Sequence, residues 1–319
     1  MRWTSLLAAM SLCVSACAAR GGQTSATANL PKGLWDAHTH LTWWGEDALD
    51  SLVKYGIVGV RDLGSDARTL AKWRDEIARG TRPGPRILYA GGQIDGPRDN
   101  PQWRSIVTTE AEVKRAVDSL ADLGVSFLKT HNTISPAMFF AVLRHARARG
   151  LRVAAHLPPG VPAWVAADSG VGSIEHMAES ILMSPVFAGV QMTSMQQAAD
   201  WWNSPQGDSM ITHLARKGVA VTPTLAAYQE FAREHGASEQ AKAGRLRSLE
   251  AQKKLVLKFH RAGIPILAGS DFADKDWTVR PGSSLLEEIR MLEQAGLTPA
   301  EARAAASTNI IKWIEQKTR

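Results

Sequence analysis

Cysteine is nearly missing from this chain: 319 residues carry two, Cys13 and Cys17, and nothing beyond them. That excludes a disulfide framework, a thiolate-ligated zinc and a cysteine nucleophile together. Long apolar runs are absent too. The one candidate, Leu6 to Ala19, is too brief to span a ~30 Å hydrocarbon core. No glycine fingerprint of a dinucleotide site is present. Charge of one sign is not concentrated either: 37 Lys and Arg against 31 Asp and Glu leave a net charge of +6, scattered along the chain. Without a dense basic stripe and interleaved aromatics, no nucleic-acid partner is expected. What remains, 45% hydrophobic and 21% charged, is the composition of a soluble globular protein with one large domain or two modest ones. A chain of this length buries enough surface to need no covalent staple.

The first residues read as an address. Met1-Arg2, the apolar stretch and the small residues at its end describe a secretory signal. Val14-Ser15-Ala16-Cys17 resembles the lipobox of bacterial lipoproteins. The resemblance implies cleavage before Cys17, lipidation of its sulfur, and export to the periplasm or cell envelope. Ordinary cleavage near Ala18 or Ala19 is the alternative. The division expected is a signal at 1–16, a small polar tether at 17–30, and one catalytic-sized domain at 31–319, with a lipid at Cys17 as the only membrane contact.

From Leu34 onward, eight short apolar runs alternate with amphipathic helical stretches: 34–41, 56–63, 86–92, 126–131, 152–157, 173–177, 220–225 and 266–271. Thr108 or Thr109 caps one helix that Gly124 stops. Ser135, Pro136 and Gly150 punctuate the next in the same way. Eight βα units match a (β/α)8 TIM barrel, with a doubly wound sheet as runner-up. Residues 178–219 and 226–245 interrupt the rhythm and are expected as extended loops after strands six and seven, over the C-terminal mouth.

The ionisable residues fall at strand ends. His38 and His40, spaced i, i+2, share one face of the first strand and form a chelating pair. Lys129, His156, His176 and Asp271 end strands four, five, six and eight. Six such groups at one end of five strands do not suit a merely packed core.

With these residues in view, the pattern resembles the amidohydrolase superfamily, in its imidazolonepropionase-like and prolidase-like branch. Asp36-Ala37-His38-Thr39-His40, Lys129, His156, Ser173-Ile174-Glu175-His176 and Gly269-Ser270-Asp271 carry the likeness. Gly56 to Asp62, Pro223-Thr224-Leu225 and Gly263 to Asp271 support it, and it runs from about Pro31 to about Ile314. The resemblance implies a binuclear site. His38, His40 and Asp271 would hold the more buried ion, His156 and His176 the more exposed one, and a carboxylated Lys129 would bridge both. Imidazole and carboxylate ligands suit zinc, with Mn²⁺, Co²⁺ or Fe²⁺ as alternatives. It further implies amide hydrolysis by a hydroxide bridging the metals, with Asp271 relaying the proton. A small peptide or N-acyl amino acid is the expected substrate; cyclic amides, lactones and organophosphates rank below it.

Substrate contacts are expected from Tyr228, His131, Arg280 and Trp43, with Trp44 and Trp277 as further aromatic wall, and Arg61-Asp62 as a structural ion pair at the mouth. The chain departs from its relatives in leaving no room for their small β-sandwich: about 17 residues separate Cys17 from Leu34, and Arg319 follows soon after the last helix. The barrel is expected to stand alone or to be completed by a partner such as a second copy. Two other readings stay open. One is a catalytically silent envelope lipoprotein that binds a ligand. The other is a mononuclear deaminase, disfavoured by His156-Leu157-Pro158-Pro159-Gly160, which lacks the expected glutamate.

Overall fold

The computed structural model of the chain describes residue 30 and residues 32–316 except positions 193, 235 and 277. The expected signal, Cys17, most of the expected tether and Trp277 lie outside the described residues. Strands β1 (Leu34–Thr39), β2 (Ile57–Asp62) and β3 (Arg86–Tyr89) pair in order and in parallel. Beyond Gly91-Gly92 the third run resumes as β4 (Gln93–Asp95), which pairs with an additional strand, β5 (Arg104–Ile106), and with β6 (Leu128–Thr130). β7 (Val153–Ala155), β8 (Ser173–Glu175) and β9 (Ala220–Thr222) follow in register.

Backbone hydrogen bonds join these pieces into a ring. Ser126 N donates to Tyr89 O at 2.9 Å, and His131 N to Ile94 O at 3.2 Å. Residues 265–272 bond to β9 through Val221 N to Pro265 O and Leu267 N to Val221 O. They bond to β1 through Ala37 N to Ala268 O and Asp271 N to His38 O, at 2.8 to 3.0 Å. Eight parallel positions therefore close on themselves, as the (β/α)8 expectation requires.

Two expectations are corrected. The eighth run is not a regular strand; it makes only the bridges Val221–Ile266 and Thr39–Phe272. Ala268 N donates to Ala305 O and Ser270 N to the Asp36 carboxylate, so those donors leave the ladder. The expected loops are largely helical. Met177–Leu182 is a π-helical turn, followed by helices Ser184–Phe187, Met195–Trp202 and Pro205–Lys217, then Leu225–Ala232 and Glu239–Arg261. Ser194, Ser204 and Ser238 each accept a first-turn N–H, a start signal already present in the sequence. Elsewhere the expected caps are in place: Thr109 and Glu112 form a capping box, and Ser135 caps the Pro136–Ala148 helix. No helix among the described residues is long and apolar enough to cross a membrane.

Two apolar cores divide the work. The larger lies between strands and helices. The smaller fills the barrel: Trp35, Leu88, Phe127, Ala154, Ala220 and Leu267 point inward, and Ile310 and Trp313 of the last helix, Thr308–Glu315, pack against them. Trp313 Nε1 donates to Gly172 O at 2.9 Å, which seats the plug at the N-terminal strand ends. With one end sealed by apolar bulk, polar groups can gather only at the other.

Candidate metal centre at the barrel mouth

A bulge aims the first two histidines. On β1 the register advances from Asp36 to Thr39 while β2 advances from Val60 to Asp62, one residue fewer. Trp35 and Ala37 face the barrel interior below the bulge; His38 and His40 do so above it. Gly269 makes this turn fit, because a Cβ there would lie 2.6 Å from His38 Cβ and 2.9 Å from its backbone nitrogen. At three further strand ends a left-handed residue does the aiming: His176 (φ 66°), Thr224 (φ 53°) and Asp271 (φ 56°). Left-handed backbone at three non-glycine positions is unfavourable and persists where the surroundings enforce it.

Side-chain partners decide which nitrogens are free. His38 Nδ1 donates to the ionised Glu175 at 3.0 Å, and His40 Nδ1 donates to the Gly64 carbonyl at 2.9 Å. Both Nε2 atoms stand 3.3 Å from Asp271 Oδ1. Thr224 gives its hydroxyl proton to Pro223 O, so its oxygen accepts from His176 Nδ1 at 3.0 Å. The His38, His40 and Asp271 ligand atoms lie within 4.8 Å of one another. His176 stands beside them: its protonated Nδ1 is 3.6 Å from Asp271 Oδ2, and its ring lies 4.8 Å from that of His38 and 4.6 Å from that of His156.

Burial pushes His38 down to about 4 and drives His156 and His176 well below the usual histidine range, the latter pair also repelled by neighbouring histidines and Lys129. Neutral imidazole is the form that binds metal. Burial alone would lift Asp271, but His38, His40 and Lys129 outweigh it and bring the carboxyl to about 2. A lone pair on His38 Nε2 thus faces an anionic oxygen at 3.3 Å, buried and without a hydrogen bond. A cation between them would relieve that repulsion, and imidazole nitrogens with a carboxylate fit a divalent metal. His40 is held above its usual value despite burial, because Asp271 and Asp62 favour its charged form.

Lys129, in β6, is fully buried, and its Nζ has no hydrogen-bond partner among the described residues. Burial moves it down to about 8 although Glu175 and Asp271 oppose the shift. Beneath it lies an ion pair that sequence reasoning placed wrongly. Arg61 does not pair with Asp62; successive strand residues face opposite ways. Arg61 Nη2 instead donates to Glu175 Oε1 at 2.9 Å across the barrel, under the faces of Trp313 and Phe127. Asp62 accepts from Leu41 N at 2.6 Å and fixes the turn after β1. Glu175, which the sequence offers only as part of the Ser173-Ile174-Glu175-His176 motif, alternates inward with Ser173.

A cavity of 350 Å³ opens beside His40 and Asp271, lined also by Trp43, Gln93, Arg104, His131 and Asp274. Of the four residues expected to touch substrate, Trp43 and His131 line this cavity. Tyr228 and Arg280 do not line it: Tyr228 bonds to Ser248 and packs on Phe231, while Arg280 lies over Trp44 and bonds to Lys275 O. Sequence reasoning missed Asp95, Arg98, Trp103 and Arg104, all on the unforeseen β4–β5 extension.

No sequence-family model and no curated protein matches the chain. Solved structures do. Bottromycin amidohydrolase superposes with a TM-score of 0.73 at 21% identity, over 90% of this chain and 68% of that one. A prolidase complexed with N-methylphosphonate-L-proline gives 0.67 at 18% identity, over 90% and 76%. Ochratoxinase from A. niger gives 0.66 at 18%, over 90% and 74%. The chain has the fold these hydrolases share.

Proposed function

We propose that this chain is a metal-dependent hydrolase that cleaves the amide bond of a small peptide or N-acyl amino acid. The observation that carries the reading is the unprotonated Nε2 of His38 held against the Asp271 carboxylate, with His40 Nε2 at the same oxygen and the His176 ring beside them. In support, the solved neighbours include an amidohydrolase and a prolidase. His38, His40 and Asp271 would hold one ion and His156 with His176 a second. Lys129 would span them once its neutral amine has added CO2, losing a proton to give a carbamate. Two divalent ions, zinc by the ligand chemistry, would polarise the amide carbonyl and bring the acidity of water toward neutrality.

The chain's own groups supply the rest. Asp271, ionised throughout the neutral range, accepts the proton of the attacking water at Oδ2 and returns it to the leaving nitrogen. Glu175 and the Gly64 carbonyl hold His38 and His40 in one tautomer, and Trp43 forms one wall of the cavity. The residues of the leader support export and tethering at Cys17. Asp271→Asn should lose more than ~100-fold in turnover while melting like the parent. Full turnover in that variant on a dipeptide and N-acyl amino acid panel overturns the proposal.

A further inference from the structure

Beside the metal centre, the extension after the third strand brings a cation into the cavity. Arg104 lines the same 350 Å³ space as His40 and Asp271. Its side chain is 10% exposed. Nη1 donates to the carbonyls of Asn100 and Gln102, each at 3.1 Å, which fixes the guanidinium without neutralising it. The guanidinium carbon sits 5.6 Å from the Trp43 ring centroid, and Trp43 meets Trp103 edge-to-face at 4.8 Å. Trp103 is the fourth left-handed non-glycine residue (φ 51°), so the segment is bent at some cost to present its neighbour.

The nearest carboxylate is already committed. Asp95 accepts from Arg98 Nη1 at 2.7 Å, Thr133 Oγ1 at 2.7 Å, Thr133 N at 3.0 Å and Gly96 N at 2.9 Å. Arg104 Nε stands 3.5 Å from it and makes no hydrogen bond. Two guanidinium groups against one carboxylate leave this cluster with one surplus positive charge, and Arg104 is the member that reaches the cavity. Asp274 also lines the cavity, but it is exposed and accepts from Asp276 N at 2.8 Å. A buried guanidinium with unused donors is costly unless an anion meets it, and its planar fork matches a carboxylate.

We infer that Arg104 is the specificity-determining residue of this site, receiving a carboxylate on the substrate several ångströms from the scissile amide, with the Asn100 and Gln102 carbonyls holding its guanidinium in place. This rests on the hydrolase reading for its chemistry, but the anion site stands on its own geometry. It selects substrates that end in a free acid over the same amides capped as carboxamides.

The test uses N-acetyl-L-leucine, N-acetyl-L-phenylalanine and N-acetyl-L-methionine, each paired with its carboxamide, on the zinc-loaded full chain. Calorimetric titration should show the acids bound about 10- to 100-fold more tightly than the carboxamides. Arg104→Gln should abolish that ratio, with cooperative melting certifying its fold. If Arg104→Gln does not melt cooperatively, Arg104→Lys replaces it and should keep a reduced preference. Equal binding of acids and carboxamides by the parent, binding of neither, or an unchanged ratio in the variant overturns the assignment. Turnover separates the two readings. A clear acid preference with no hydrolysis of either series sinks the hydrolase reading and leaves the anion site standing; equal hydrolysis of both series does the reverse.

Discussion

Replacing Glu175 with Gln removes one charge from the sealed interior and leaves the other behind. Arg61 and Glu175 are fully buried, with Nη2 and Oε1 2.9 Å apart. At an effective dielectric of ~20 that contact is worth about 6 kcal/mol before any compensation. Little compensation exists. Arg61 Nε and Nη1 have no hydrogen-bond partner, and the faces of Trp313 and Phe127, 4.1 and 5.3 Å away, return about 1–2 kcal/mol. The amide of Gln still accepts one hydrogen bond, which brings the expected loss to ~3–5 kcal/mol, the cost typical of breaking a buried pair. A domain stable by ~5–15 kcal/mol would keep its fold, but with a clearly lower urea midpoint.

The same change loosens His38, whose Nδ1 loses its anionic acceptor, so zinc affinity by chelator competition should fall about 10- to 100-fold. Adding Arg61→Met should restore most of the stability, because the orphaned cation is gone, without restoring the affinity. A single-variant loss under ~1 kcal/mol, or a double variant less stable than Glu175→Gln, refutes the account.

Glu288 offers a pH test away from the candidate metal centre. It is buried on helix Ser283–Gln294 and accepts from Ala226 N at 2.8 Å; burial lifts its carboxyl to about 8 from an ordinary 4.5. The folded chain therefore holds a proton that the unfolded chain has lost between those values, so stability should fall as pH rises through that window. Glu288→Gln should flatten the fall by a few kcal/mol in denaturant titrations at pH 5 and 8.5; parallel profiles would refute it. Gly269→Ala should cost about 1–3 kcal/mol and loosen zinc, because the added methyl meets His38 at 2.6 Å; unchanged metal content would contradict this. Zinc must displace the proton that Asp271 and Asp62 favour on His40, so affinity should strengthen as pH rises from 6 to 8. Competition titrations read that slope directly, and a flat profile counts against His40 as a ligand.

Much of this was legible along the chain because it depends on neighbours in sequence. Alternation of apolar runs with capped helices marks the βα units, and the one strand judged too regular, 266–271, failed because its donors are taken by Asp36 and Ala305. The i, i+2 spacing of His38 and His40 correctly predicts a shared face. What it does not say is which face, since the Ala37–His38 bulge exchanges the two. The additional Ser caps at 194, 204 and 238 could have been read but were masked by the composition of the stretch they punctuate.

Residue identity and local periodicity come from the sequence alone: which groups can ligate, which strand ends carry them, and where helices begin. Convergence does not, because it is set by chain closure. Glu175 reaches His38 across 137 residues and Arg61 across 114, distances that no local pattern spans. The left-handed turns at His176 and Asp271 are affordable only where packing enforces them. Arg104 becomes a cavity residue because Asp95 is already satisfied by Arg98, Thr133 and Gly96, a competition for hydrogen bonds that exists only once those groups have met in three dimensions.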